Sequence, residues 1–305
     1  MLDSLIIGGG PAGLTAGIYL MRAGLSCALY EKQFCGGQAS TTNWIENYPG
    51  FPDGIGGPEL SIAMAEQAQK LGLEIRYDEI TELHLTDTER YAIAGGKRID
   101  ARTVVLCMGA TPRPLGLAEE ERLRGRGVSY CATCDGAFFR GKEVCVVGGG
   151  DTAMEDALYL ARFASKVTII HRRDSFRAAQ ALVCRVQQTP NVKILYHTVV
   201  KALRGEEQLE EIVVQNTLSG AESAFRTQGL FVAVGTVPQT ELLAGQLALQ
   251  EGYVIAGEDT RTSVRGVYAA GDIRTKPLRQ VICAASDGAV AAAMVQADLN
   301  SIEIG

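Results

Sequence analysis

A surplus of positive charge is missing from these 305 residues: 29 Lys and Arg face 35 Asp and Glu, for a formal net charge of −6. Nucleic-acid binders carry a basic excess that neutralises phosphates, so that class is excluded. A long uninterrupted apolar run is lacking as well. Arg22 breaks the apolar stretch 14–29 and Asp287 the one near the C-terminus, so no membrane span is expected. Met1-Leu2-Asp3 leads into an apolar strand without a basic leader, so no targeting segment is expected and a cytoplasmic setting is. Histidine is scarce, at three residues, and only one Cys-x-x-Cys occurs. A tetrahedral zinc site needs about four ligands at suitable spacing, so no metal is expected. Six of the eight cysteines stand singly, and in a chain this long with no secretory leader a structural disulfide framework is not expected. Cys27, Cys107, Cys145 and Cys184 read as small buried hydrophobes.

Glycine, by contrast, is abundant at 35 residues, and its placement exposes an internal repeat. Residues 4–32 (SLIIGGGPAGLTAGIYLMRAGLSCALYEK) match 144–172 (VCVVGGGDTAMEDALYLARFASKVTIIHR) without gaps, at a constant offset of 140. Each copy has a short apolar run, a glycine turn, a stretch with apolar residues at helical spacing, and a second apolar run. That is the strand–turn–helix–strand context in which a Gly-x-Gly-x-x-Gly/Ala fingerprint carries meaning. Gly8, Gly10 and Gly13, with Pro11 and Ala12 between them, form the first fingerprint. Gly148, Gly150 and Ala153, with Asp151 and Thr152, form the second. Backbone N–H groups and the positive helix end in such a turn suit a pyrophosphate. The fold class expected is α/β, with two Rossmann-like βαβ dinucleotide-binding domains.

The end of the second strand reads the adenosine ribose. In the first copy Glu31, followed by Lys32, suits an unphosphorylated ribose, as in FAD or NAD. In the second the matching residue is His171, followed by Arg172, Arg173 and Arg177. An Arg-Arg-x-x-x-Arg turn met alone is an ordinary solvated turn, and a lone His171 an ordinary surface histidine. At the ribose-reading position the guanidinium forks suit a 2′-phosphate, hence NADPH. Cys131-Ala132-Thr133-Cys134 reads as a redox dithiol, with the adjoining Asp135 as acid/base for thiol–disulfide exchange. Two dinucleotide sites and one dithiol make an electron chain.

The motifs GGGPAG (8–13), GGQ (36–38), ENYPG (46–50), CATCDG (131–136), GGGDTA (148–153), HRRDSFR (171–177), and AAGD then RQV (269–281) resemble the low-molecular-weight, bacterial-type thioredoxin reductases of the pyridine nucleotide-disulfide oxidoreductases. The resemblance runs over essentially the whole chain. It implies that the second domain is inserted into the first: 1–112 and 241–305 for FAD, 113–240 for NADPH and the dithiol. It implies FAD contacts at Gly36, Gly37, Gln38, Asn47, Ile80, Gly109, Gly271, Asp272, Arg279, Gln280 and Val281. It implies that Cys134 lies nearer the flavin, that Cys131 attacks the disulfide of thioredoxin or a thioredoxin-like partner, and that the chain forms a homodimer. Domain rotation in the family places hinges around Thr111–Leu115 and Val237–Leu242. Departures are few. Cys107-Met108-Gly109 replaces a common Ala-Thr-Gly, and Ala137 stands where some members carry an aromatic, which bears on partner docking. Cys35 and Cys283 fall near the expected flavin and read as inert packing. The competing readings are a ferredoxin-driven or small-molecule dithiol relative, expected to lack the second phosphate site, and a flavin-bound sensor without turnover.

Overall fold

The structure is a computed structural model. It describes residues 1–303 apart from Asn43 and Glu46, and the side chains of Cys134, Ile302 and Glu303 also lie outside the described residues. In chain order, β1 (Leu2–Ile7), α1 (Pro11–Arg22) and β2 (Cys27–Glu31) come first. Then follow α2 (Gly57–Lys70), β3 (Glu74–Tyr77), β4 (Ile80–Leu85), β5 (Arg90–Ala94), β6 (Lys97–Leu106) and β7 (Ala110–Pro112). β8 (Val128–Ser129) feeds α3 (Ala132–Asp135), and β9 (Glu143–Gly148), α4 (Asp151–Leu160) and β10 (Lys166–Ile170) repeat the opening unit. Next are α5 (Gln180–Gln188), β11 (Val192–Leu195), β12 (Thr198–Arg204), β13 (Glu211–Asn216), β14 (Glu222–Arg226), β15 (Gly229–Ala233) and β16 (Thr236–Pro238). The chain ends with β17 (Leu249–Gln250), β18 (Tyr253–Val254), β19 (Val267–Ala269) and α6 (Val281–Glu303).

Two compact units result: Met1–Thr111 with Val237–Gly305, and Pro112–Thr236. The first is built on a sheet of order β3-β2-β1-β6-β5-β4, with β19 also on β6. β1, β2, β3, β6 and β19 run parallel. Their apolar runs are buried on both faces, as parallel strands require. Ile6, Leu29 and Val105 pack towards α1 and α6, while Leu5, Ile7 and Tyr30 pack towards β4, β5 and Leu243–Ala256. By length and composition α6 is apolar enough to cross a membrane, which the sequence reading did not anticipate. Its packing accounts for that character. Ala291, Ala292, Val295 and Leu299 are buried in the core with α1. Gly288 lets the helix backbones close up, since a Cβ there would collide with the Ala12 carbonyl oxygen.

The second unit has an all-parallel sheet of order β11-β10-β9-β15-β8. Its core splits between a layer with α4 and α5 and a layer under the antiparallel meander β12-β13-β14. The sequence repeat is also a repeat of register. Leu5 pairs Ala28 and Ile7 pairs Tyr30; Cys145 pairs Thr168 and Val147 pairs Ile170. The chain leaves the first unit through β7 and re-enters through β16. Gln239 N–H donates to Gly109 O (3.0 Å) in the first unit, and Arg113 N–H to Gly235 O (2.9 Å) in the second. The boundary expected after residue 240 lies beyond β16.

Candidate functional site

In the first unit Gly10 caps α1 in extended conformation and Pro11 takes the first helical position, where its missing N–H costs no helical bond. Gly8 has φ +104°, and a Cβ on it would collide with Cys107 O; one on Gly13 would collide with Gly8 O. These two glycines let the helix and the turn close onto the strand. A Cβ on Gly10 would meet only the Gly37 Cα, at 4.0 Å, so its side of the turn is open to an anion. Ala12 is buried behind it. Glu31, at the end of β2, accepts Gly9 N–H on Oε2 (2.8 Å) and Gln33 N–H on Oε1 (3.0 Å), while Lys32 is exposed.

Residues distant in sequence gather around this turn. Gly36 N–H donates to Gly9 O (2.7 Å), with Gly36 and Gly37 both at positive φ. Gln38 Nε2 donates to the Ala110 carbonyl, just after Gly109 at φ +67°. Asn47 Nδ2 donates to Gln280 Oε1 (2.9 Å), joining the ENYPG and RQV motifs; Glu46 of the former lies outside the described residues. Val281 begins α6. Ile80 opens β4 with its side chain in the core, so it presents only backbone to a ligand.

Asp272 follows Gly271, which has φ +80°. Asp272 Oδ1 and Arg279 Nε are buried with no hydrogen-bond partner among the described residues. Burial pushes the Asp272 carboxyl up, against the pull of Lys276 and Arg279. The Arg279 guanidinium lies 4.2 Å over the Tyr253 ring. Buried polar atoms left unsatisfied are costly unless something binds them, and a polyhydroxyl chain and a heterocycle supply the missing donors and acceptors. This turn and the open Gly10 fit FAD.

In the second unit the same division recurs. A Cβ on Gly148 would collide with Ala233 O, whereas Gly150 has nothing near it. Asp151 Oδ1 accepts Ala179 N–H (2.7 Å), and Thr152 is exposed. His171 at the ribose-reading position is buried, at 7% exposure, with Nδ1 3.0 Å from Gly148 O and Nε2 2.9 Å from Ser175 O. Its ring fills the space where a Gly149 Cβ would stand. Arg177 N–H adds a bond to Gly149 O (2.8 Å). His171 therefore braces the glycine turn against the arginine loop. Arg172, Arg173 and Arg177 are exposed, and their side chains have no partner among the described residues. Three unpaired guanidiniums beside an open glycine turn fit the 2′-phosphate and pyrophosphate of NADPH.

Also in the second unit, Cys131 is disulfide-bonded while six other cysteines are free; the Cys134 side chain lies outside the described residues. Cys131 is half-buried, with Sγ 3.4 Å from Thr133 Oγ1. Asp135 N–H donates to Cys131 O (3.1 Å), closing the turn. Ser129 Oγ donates to Asp135 Oδ2 (2.6 Å), and Cys131 N–H donates to Ser129 Oγ (3.1 Å). Beside them Tyr130 O–H donates to Glu120 Oε1 (2.6 Å), and Glu120 also accepts the N–H groups of Leu115, Gly116 and Leu117. These bonds hold the Glu120 carboxyl below its usual range although burial pushes it up. Phe138 is exposed next to this turn.

The Pyridine nucleotide-disulphide oxidoreductase family model matches residues 2–288. A thioredoxin reductase of Bacillus subtilis (strain 168) is 45% identical over 298 residues, covering 96% of this chain and 93% of its own. That of Mycolicibacterium smegmatis is 44% identical over 291 residues, covering 95% and 94%. The chain belongs to the thioredoxin reductases of the pyridine nucleotide-disulphide oxidoreductase family. The crystal structure of Lactococcus lactis thioredoxin reductase in its FR conformation superimposes with a TM-score of 0.83 at 37% identity, covering 99% of this chain and all of that one. The α/β fold with two Rossmann-type domains, one inserted in the other, is thus the family's own.

Residues that the motifs did not single out support this family site. Asp287 of α6 binds Gly271 N–H (2.9 Å), Arg274 Nε and Nη2 (2.8 and 2.7 Å) and Lys276 Nζ (2.8 Å), which ties the Asp272 turn to the helix. In the sequence Asp287 was only a charge in an apolar run; a buried charge in such a run is itself a signal of pairing. Ser129 lies two residues before Cys131 with no motif around it. Among the lone cysteines, Cys27, Cys107 and Cys145 are buried, and burial pushes the thiols of Cys27 and Cys145 up to about 11 and about 12. Cys184 departs from expectation, being only half-buried on α5.

Proposed function

We propose that this chain reduces the disulfide of thioredoxin, or of a thioredoxin-like protein, with electrons from NADPH that pass through FAD and a Cys131–Cys134 disulfide. NADPH-dependent thioredoxin-disulfide reduction with FAD is the activity of the family to which the chain belongs. The observation carrying the residue assignment is the disulfide-bonded Cys131 in a Cys-x-x-Cys-Asp turn, within the unit that also holds the unpaired arginines. Bound NADPH supplies a hydride, and bound FAD hands its two electrons on to a disulfide.

The chain's own residues hold and orient. Gly8, Gly10 and Gly13 receive the FAD pyrophosphate at the α1 N-terminus, and Glu31 accepts from its ribose. Gln38, Asn47, Asp272, Arg279, Gln280 and Val281 orient the remainder. Gly148 and Gly150 receive the NADPH pyrophosphate, Arg172, Arg173 and Arg177 clamp its 2′-phosphate, and His171 keeps that loop in place. Cys131 meets the partner disulfide, Cys134 is the inner thiol, and Asp135 takes and returns the exchange proton. A ferredoxin-driven chemistry would leave the three arginines without a role. A cytoplasmic homodimer completes the proposal, and sedimentation of the purified protein at monomer mass would overturn the dimer.

The test is kinetic. The purified protein should be yellow, its flavin should be reduced by NADPH in stopped flow, and it should turn over thioredoxin. Cys131→Ser and Cys134→Ser should keep FAD and flavin reduction but lose thioredoxin turnover. Turnover retained in either variant refutes the electron path.

A further inference from the structure

Ser129 is buried at 4% exposure and belongs to no dinucleotide or dithiol motif. Its single hydroxyl has three polar neighbours: Asp135 Oδ2 at 2.6 Å, Cys131 O at 3.2 Å and Cys131 N at 3.1 Å. A hydroxyl offers one proton and two lone pairs. Cys131 N–H fills one lone pair. The proton then has two acceptors in reach, and the shorter contact is the charge-assisted one to the carboxylate.

We propose that Ser129 is a positioning residue of the dithiol reaction, its hydroxyl proton turning between Asp135 Oδ2 and the Cys131 carbonyl as Asp135 gains and loses the exchange proton. The proposal rests on the reading of Asp135 as the acid/base of the Cys131–Cys134 pair. With Asp135 ionised, Ser129 donates to Oδ2. With Asp135 protonated, the acid donates to Ser129 Oγ, and the serine proton turns to Cys131 O. Both of its lone pairs are then filled, by Asp135 O–H and by Cys131 N–H. In both states every buried proton of the group has an acceptor, so the exchange proton can come and go without the penalty of an unsatisfied buried donor.

The exchange balances. The Cys131 and Cys134 thiols lose two protons and two electrons as their S–S bond forms. The partner's S–S bond breaks and its two sulfurs gain those electrons and protons. Asp135 takes one thiol proton as the attacking thiolate forms and returns it to the departing partner sulfur. Over the exchange Asp135 and Ser129 end as they began.

A double-mutant cycle on the full holoenzyme tests the proposal: Ser129→Ala, Asp135→Asn and the pair together, assayed with NADPH and thioredoxin. Ser129→Ala is expected to lower kcat roughly tenfold, the scale of one charge-assisted hydrogen bond. The KM for thioredoxin and the rate of flavin reduction by NADPH should stay at wild-type values. In the Asp135→Asn background the same change should cost nothing more, because Ser129 acts through Asp135. Ser129→Thr, which keeps the hydroxyl, should restore kcat. Additive losses in the double variant, an unchanged kcat in Ser129→Ala, or a change confined to KM would overturn the role of Ser129 while leaving the dithiol reading intact. Full turnover in Asp135→Asn would instead remove the acid/base reading, and the proposal with it.

Discussion

Asp287→Ala removes the carboxylate that Arg274 grips with Nε and Nη2 (2.8 and 2.7 Å) and Lys276 with Nζ (2.8 Å). Those two cationic side chains are 8% and 5% exposed, so water does not replace the lost partner. Breaking a buried ion pair from one side costs about 3–5 kcal/mol, because the remaining charge stays buried. Gly271 N–H also loses its acceptor (2.9 Å), a further loss of about 1 kcal/mol. A domain's stability is about 5–15 kcal/mol, so the first unit should lose a large fraction of its own. Asp287→Asn keeps the shape and one acceptor oxygen and should cost distinctly less. Replacing the whole cluster, with Arg274→Met and Lys276→Met added to Asp287→Leu, removes all three buried charges together and should recover most of the loss. Guanidinium titration followed through Trp44, the only tryptophan of the chain and part of the first unit, reads each value. The acid limb carries a sign. Burial pushes the Asp287 carboxyl up, but the bonds from Arg274, Lys276 and Gly271 outweigh it and hold the carboxyl below its ordinary 3.8. A depressed folded value stabilises above the unfolded one and is lost as pH falls through the folded one. The gap between wild type and Asp287→Asn should therefore be full above pH ~4 and narrow below it. An Asp287→Ala variant within about 1 kcal/mol of wild type would refute the reasoning, since that is the range of an exposed pair.

Two further substitutions separate the dinucleotide sites. Arg172→Ala with Arg173→Ala should lower the kcat/KM ratio of NADPH over NADH by at least about tenfold, each lost guanidinium–phosphate contact being worth 1.5–3 kcal/mol or so; an unchanged ratio would show that these arginines do not read the 2′-phosphate. Gly149→Ala drives a methyl into the His171 ring, so NADPH affinity should fall while the flavin spectrum stays unaltered; wild-type NADPH affinity would mean that the His171 brace is dispensable.

Much of the site could be read locally. The Gly8-to-Gly13 and Gly148-to-Ala153 turns, Glu31, the arginine run and the Cys-x-x-Cys each pack their chemistry into a few consecutive residues. Backbone N–H direction and side-chain type there depend on neighbours in sequence. The repeat at offset 140 even anticipates the register, since Leu5–Ala28 and Cys145–Thr168 are the same pairing in two copies. The burial of His171 was not legible locally: its neighbours are charged and exposed, and only the fold brings the Gly148 and Ser175 carbonyls to its two nitrogens.

By itself, then, the amino-acid order determined the α/β class and the two glycine turns, and it is what the proposed assignment of the phosphorylated ribose and of the redox pair rests on. Tertiary structure alone decided that Asn47 meets Gln280, that Asp287 neutralises Arg274 and Lys276 beneath the Asp272 turn, and that Ser129 closes on Asp135. It also decided that an apolar helix of membrane-spanning length belongs against α1. The physical reason is common to all four. Burial and pairing are properties of surfaces brought together by chain folding, and a polar or apolar residue has no settled partner until the other surface arrives.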